Sequence, residues 1–342
     1  MRPLEELVRP NIRTLKPYST ARDEFSGGEI TTWLDANENP YDNGVNRYPD
    51  PRQKALKARL SQIKGVPVES IFVGNGSDEP IDLVYRVFCE PKVHNAVAIA
   101  PTYSMYKVAA EINDVEVREV QLEEDFSLDA DKLLAATDAN TRLLWLCSPN
   151  NPTANSFPTA TIERIIREFA GIVVLDEAYI DFAAEPGFLS RLGEFPNLIV
   201  LQTLSKAWGM AGLRLGLAFA DPLIVATLSN VKYPYNVNGP TQQTVLERLA
   251  GSPAAQVAEI LSERRRVAAA LQPMKVVRKL YPSDANFVLV KVDEPRKVYD
   301  RLIAAGIIVR DRSRMQGCEG CLRITIGTPE ENTRLLEVMA QL

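Results

Sequence analysis

A single histidine, His94, stands among 342 residues, and only four cysteines accompany it. A Ser-His-Asp or Cys-His hydrolase has no other imidazole to draw on, and the polar stretch around His94 reads as a loop rather than a site. Four cysteines in a chain this long do not make a disulfide scaffold. Cys318 and Cys321 form a C-x-x-C, but no second pair follows and His94 is remote, so no metal site is expected. Basic excess is missing too: 39 Lys and Arg face 44 Asp and Glu, giving a formal net charge of -5. A nucleic-acid binder normally carries a basic face that replaces phosphate counterions, so nucleic-acid binding is not expected. No apolar run approaches the roughly 18 residues of a membrane span, and the mixed-charge start, Met1 to Tyr18, has no apolar centre of a secretory signal. A protein without membrane association, located in the cytoplasm, is the expectation.

What the chain does contain is a regular alternation. Short apolar runs at Ser70 to Val73, Ala96 to Ala100, Val115 to Val120, Arg142 to Cys147, Gly171 to Leu175, Leu198 to Leu201 and Arg214 to Ala220 read as strands. Between several of them lie stretches with helical spacing, among them one opened by Asp50-Pro51 and one over Pro80 to Phe88. This pattern predicts an α/β fold with a mainly parallel sheet covered on both faces. Near Asn238-Gly-Pro240 the pattern changes, and one long helix from about Thr241 to Leu271 leads towards a second domain with strands at Asn286 to Val292 and Cys321 to Ile326. A length of 342 residues suits two domains.

The chemistry concentrates where strands end. Thr203 to Gly216, TLSKAWGMAGLRLG, sets Lys206 among Thr203, Ser205 and Arg214, with glycines that permit close backbone approach. Hydroxyls, a guanidinium and an amine together suit a phosphate held beside a nucleophilic lysine, which points to a Schiff base with pyridoxal phosphate. Gly74-Asn-Gly-Ser-Asp-Glu79, between a strand and a helix, is a second anion-binding turn, lacking the third glycine of a dinucleotide fingerprint. Asp176 follows Ile-Val-Val-Leu, so its carboxylate is expected to be partly buried and to need a partner such as a protonated ring nitrogen; Tyr179 follows within reach. Tyr103 offers an aromatic face, and Ser148-Pro-Asn-Asn-Pro-Thr153 is a rigid polar turn at a strand's carboxyl end. Arg323 sits in a β-prone run, and Arg310, Arg312 and Arg314 cluster with Asp311 in an expected loop. Together these arginines suit a substrate with two negative groups.

In order, LDANENP, NRYP, GNGSDE, PTYSMY, SPNNPT, VVLDEAYIDF, TLSKAWGMAGLRLG and CLRITIGT span nearly the whole chain. This series resembles the histidinol-phosphate aminotransferases, a family of the fold-type I pyridoxal-phosphate-dependent transferases. The resemblance implies a segment 1–29 packing with a small domain, a large cofactor-binding domain over 30–240 built on a seven-stranded-type sheet, and a smaller α+β domain over 241–342. It implies that Lys206 bonds the cofactor and moves the proton, that Asp176 pairs with the ring nitrogen, and that Tyr179 and Asn151 reach the phenolic oxygen. Tyr103 is implied to stack on the ring, while Gly76, Ser77, Thr203, Ser205 and Arg214 hold the phosphate. Tyr48 is implied to arrive from the second subunit of a homodimer. Arg323 is implied to meet a substrate carboxylate, Arg310 the substrate phosphate, and Tyr18 and Asn37 to close the substrate side. The implied reaction takes L-histidinol phosphate and 2-oxoglutarate to imidazole-acetol phosphate and L-glutamate, in histidine biosynthesis. The same parts serve a threonine-phosphate decarboxylase-like lyase, a broader aromatic amino acid aminotransferase, or a non-catalytic binding protein on this fold. Ala154 departs from the family, which carries glycine there; a positive backbone dihedral at that position is expected to be strained.

Overall fold

The computed structural model describes residues 2–20 and 31–342. Seven short strands form the first sheet: β1 (Ile71–Asn75), β2 (Asn95–Ala100), β3 (Glu116–Gln121), β4 (Thr141–Cys147), β5 (Ile172–Asp176), β6 (Leu198–Thr203) and β7 (Leu215–Phe219). Their order is β1-β7-β6-β5-β4-β2-β3, and only β7 runs against the rest. Successive side chains of a strand point to opposite faces, and here both faces are apolar. Val173, Leu175, Val200, Leu144 and Leu146 pack on one side with helices Lys54–Lys64 and Thr159–Glu168. Phe72, Ile172, Val174, Leu201 and Trp145 pack on the other with Asp78–Phe88, Met105–Ile112 and Pro222–Val231. Covering both faces is what parallel strands require, and it explains why β2, β4, β5 and β6 read as apolar runs, while the edge strand β3 is largely exposed.

A second sheet, ordered β10-β11-β9-β8, joins β8 (Val277–Leu280), β9 (Phe287–Val292), β10 (Arg310–Asp311) and β11 (Cys321–Thr325), all antiparallel. Val288, Val290, Leu322 and Ile324 bury one face against helices Ala254–Leu271, Pro295–Ala304 and Pro329–Met339. The last helix starts on a capping box, Thr328 with Glu331. The opposite face turns to the first sheet's domain, where Phe287 packs with Tyr179, Phe182, Ala154 and Ala207.

Several expectations need revising. The helix expected from Asp50-Pro51 begins at Lys54, because Gln53 takes a left-handed conformation and the Asp50 carboxylate caps the N–H groups of Arg52 and Lys54 instead. The long helix expected over 241–271 is two, Gly239–Arg248 and Ala254–Leu271, interrupted at Gly251-Ser-Pro253. Val245 and Leu249 of the first belong to the core under the large sheet, whereas Val267 and Leu271 of the second belong to the small one. Arg310 and Asp311 form an edge strand rather than a loop. The run expected over Ile30 to Leu34 forms no strand at 31–34, and Ile30 lies outside the described residues. Of the segment 1–29, residues 1 and 21–29 also lie outside them; Leu7 and Val8 are buried on the large domain rather than the small one, where Arg9 N–H bonds Val87 O and its guanidinium pairs with Glu90.

Candidate active site

The carboxyl ends of β1, β2, β4, β5 and β6 lie at one end of the sheet, where antiparallel β7 begins. Ligands of open α/β sheets bind at such ends because the loops there converge while the strands behind them are rigid. Most of the site residues read from the sequence stand on these loops.

At the β1 end, the chain turns through Gly76 (φ +78°) into helix Asp78–Phe88. Gly76 N–H bonds Arg214 O at 2.7 Å, which ties this turn to the start of β7. A Cβ on Gly76 would lie 2.6 Å from the Arg214 guanidinium, and one on Gly216 would lie 2.2 Å from Ser77 N. Both glycines are therefore required by the closeness of turn, strand and guanidinium. Arg214 itself is left-handed (φ +52°) and reaches Asp78 at 3.5 Å. Thr203, buried at the end of β6, accepts a hydrogen bond from Ser205 N–H at 3.1 Å. The result is a cradle of backbone N–H groups at a helix start, two hydroxyls and one guanidinium, which can hold a phosphate.

Asp176 ends β5 and is buried. Its Oδ2 accepts from Tyr106 OH at 2.6 Å and its Oδ1 from Ala178 N–H at 3.0 Å. Burial raises its pKa above the ordinary carboxylate value; the Tyr106 hydroxyl, the Ala178 N–H and Lys206 act against that rise. A buried carboxyl of this kind suits a protonated ring nitrogen as its ligand partner.

Lys206 opens into the cleft, with Nζ 5.7 Å from the Tyr179 ring centroid. Desolvation by surrounding protein lowers its pKa, as do Arg323 and Arg214, while Asp176 and Asp78 oppose them. An amine so placed is more readily the free base that nucleophilic chemistry needs. Tyr179, buried, packs edge-on against Phe287. Tyr103 donates to Asp78 Oδ1 at 3.1 Å and meets Tyr106 edge-on.

Asn151, buried at the turn after β4, accepts from Arg323 Nη1 at 2.5 Å, a bond that joins the two domains. Arg323 lies over the Phe287 ring and stands opposite Arg310 across β11 and β10. Ala154 has φ +72°, so the strain expected from alanine at the family's glycine position is present, in a side chain wholly buried beside Tyr179.

Not every expected residue joins this cluster. Tyr18 and Asn37 are exposed, and among the described residues no hydrogen bond links either to it. Tyr48 is half-exposed and stacks on Tyr235 at 4.4 Å. The C-x-x-C thiols are free and buried beside Phe126 and Tyr281, where burial pushes Cys318 up to about 12 and Cys321 to about 11, so neither is a thiolate near neutral pH. His94 accepts the Glu90 N–H in a turn.

Two participants escaped the sequence reading. Tyr106, the donor to Asp176, stands three residues after Tyr103, a spacing that puts both on one side of a helical turn. Asp78, bonded to both Tyr103 and Arg214, carried no signal beyond its place after Ser77.

Fold and site together define a class. The chain belongs to the aminotransferase class I and II family, whose model matches residues 22–339. Within it, the chain is 55% identical to a histidinol-phosphate aminotransferase of Parabacteroides distasonis over all of this chain and 99% of that one. It is 52% identical to the histidinol-phosphate aminotransferase of Bacteroides thetaiotaomicron, covering 99% of each. The solved histidinol-phosphate aminotransferase of Sinorhizobium meliloti, in complex with pyridoxal-5'-phosphate, superimposes with a TM-score of 0.78 over 86% of this chain and 82% of that one, at 24% identity.

Proposed function

We infer that this chain is a pyridoxal-phosphate-dependent aminotransferase that passes the amino group of L-histidinol phosphate to 2-oxoglutarate, giving imidazole-acetol phosphate and L-glutamate. The likeness to histidinol-phosphate aminotransferases along the full chain supports the substrate pair. The observation that carries the chemistry is the line of groups across the cleft: phosphate cradle, Lys206 amine, buried Asp176. Gly76, Ser77, Thr203, Ser205 and Arg214 would hold the cofactor phosphate, and Tyr103 would flank its ring. Bound there, the cofactor supplies a conjugated electron sink for the carbon bearing the substrate amine.

This chain's own residues do the rest. Asp176 holds a proton on the ring nitrogen, kept in place by Tyr106 and the Ala178 N–H. Lys206 Nζ, its pKa lowered, takes the proton from the substrate carbon and returns it. Tyr179 and Asn151 orient the phenolic oxygen. Arg323, fixed by Asn151, binds a substrate carboxylate, and Arg310 binds the phosphate. We assign Tyr48 to the neighbouring site of a homodimer, Tyr18 and Asn37 to the substrate side, and the protein to the cytoplasm; since Val245 and Leu249 belong to the large sheet's core, the division between the two domains falls after Leu249 rather than at 240.

The test is spectroscopic. The absorbance of the purified holoenzyme is recorded after adding L-histidinol phosphate without a keto acid. Expected is stoichiometric conversion to the amino form of the cofactor, reversed by 2-oxoglutarate. A spectrum unmoved by this substrate, with carbon dioxide released from threonine phosphate, would overturn the reading in favour of a decarboxylase.

A further inference from the structure

Strand alternation divides the small sheet into two unlike faces. Leu322 and Ile324 point into the small domain's core, so Cys321 and Arg323 point the other way, together with Leu289 opposite Arg323. Arg310 is the register partner of Arg323 and shares that face. Arg312 N–H continues the ladder to Cys321 O at 3.0 Å, which places Arg312 two residues from Arg310 on the same side. Asp311, between them, points away; its carboxylate accepts Ser313 N–H and faces Arg314 and Arg296. Three guanidiniums therefore converge on the cleft with no acid of their own strand beside them.

Their charge is unbalanced. Among the described residues none of the three makes an ion pair with a carboxylate. After burial, the groups acting most strongly on Arg312 are Arg323 and Arg310, which lower its pKa, then Cys318 and Tyr179. Arg312 Nε and Arg323 Nε are both buried without a hydrogen-bond partner. A half-buried guanidinium beside two others costs free energy unless an anion completes it. A carboxylate needs one such fork; a phosphate monoester, doubly charged near neutral pH, accommodates two or more.

We propose that Arg312 is a specificity-determining residue that binds the phosphate dianion of the amino substrate together with Arg310, leaving Arg323 to the carboxylate substrate. The inference rests on the functional reading above but assigns a residue that reading does not use. It makes the site's preference for phosphorylated over carboxylate substrates depend on a third positive charge.

The experiment compares holoenzyme with Arg312→Gln and Arg312→Lys in both half-reactions. Expected for Arg312→Gln is a rise of about tenfold or more in KM for L-histidinol phosphate, the size of a lost charge-assisted bond. The rise for L-glutamate should be smaller and kcat should move less than KM. Arg312→Lys should recover part of the loss. Competitive inhibition by inorganic phosphate should weaken in Arg312→Gln, while inhibition by acetate should not. Equal rises for both substrates, or phosphate inhibition untouched in a variant of native melting temperature, would overturn the proposal. Should Arg312→Gln not fold, the Lys variant decides: the proposal expects inhibition by phosphate to weaken more than inhibition by acetate, and equal effects reject it. Wild-type enzyme inert to L-histidinol phosphate sinks the functional reading alone, since phosphate inhibition of the glutamate half-reaction still tests Arg312.

Discussion

At the scale of single residues, buried carboxyls mark where this chain spends stability for position. Glu177 follows Asp176 directly, yet it points to the other side and accepts from Phe188 N–H and Gln202 Nε2. Burial raises it from the ordinary 4.5 to about 7. Because the folded pKa lies above the unfolded one, the unfolded chain loses this proton first. Glu177's contribution is thus full below about pH 4.5 and is lost as pH rises towards about 7. The loss is on the order of 3 kcal/mol. Glu177→Gln keeps a neutral group and an acceptor for Phe188, so the variant's advantage over wild type in urea unfolding should grow between pH 5 and pH 8, by roughly the same amount. A stability difference independent of pH would show that Glu177 is charged throughout. Asp176, its neighbour, differs because a ligand partner is available to it. No pattern of residue types separates the two acids in the sequence; strand alternation does, and only once the strand's end is known.

At the scale of elements, the site depends on β7 meeting the turn after β1. Gly216 pairs with both Gly74 and Thr203 across its neighbours, and Ser77 N stands where its Cβ would be. Backbone cannot yield as a flexible side chain can, so Gly216→Ala must move strand or turn. Overpacking of this kind costs about 1–3 kcal/mol. The expected result is a lower melting temperature with cofactor affinity weakened tenfold or more, measured by equilibrium dialysis against pyridoxal phosphate. Unchanged cofactor affinity in a destabilised variant would remove this turn from the phosphate cradle. The helix Asp78–Phe88 and the seven strands of the large sheet were legible from the sequence, because burial on both faces leaves most of them few alternatives. The break at Gly251-Ser-Pro253 was not, since apolar spacing on either side is compatible with one helix. The two-residue strand β10 was equally hidden, because its pairing with β11 comes from tertiary register and not from β-prone composition.

At the scale of the whole molecule, two domains meet over the site. Arg323 bonds Asn151, Asp284 N–H bonds Ala154 O, and Arg264 bonds Ala285 O and Phe182 O. Phe287 and Tyr179 pack in the same seam. A second subunit is needed if Tyr48 serves a neighbouring site. In that case Tyr48→Ala and Lys206→Ala, each inactive alone, should complement when refolded together, because one site of every mixed dimer carries neither change. Random mixing predicts about a quarter of wild-type activity. Recovery of nothing, with mixed dimers demonstrated by mass, would place Tyr48 in its own chain's site or outside any site.

The sequence by itself determined the fold class and the family, because these rest on local rules. Apolar runs form most of the large sheet's strands, turn residues follow them, and the motifs occur in one order along nearly the whole chain. Tertiary structure alone decided how these pieces act on one another. It joined Tyr106 to Asp176, Asp78 to Arg214, and Asn151 to Arg323, each across 70 or more residues. It also turned a run of charges at 310–314 into alternating faces, Arg310 and Arg312 on the cleft side of the sheet and Asp311 on the side of Leu322. The physical reason is that partners in space are set by strand register and sheet order, which composition and spacing along the chain do not encode.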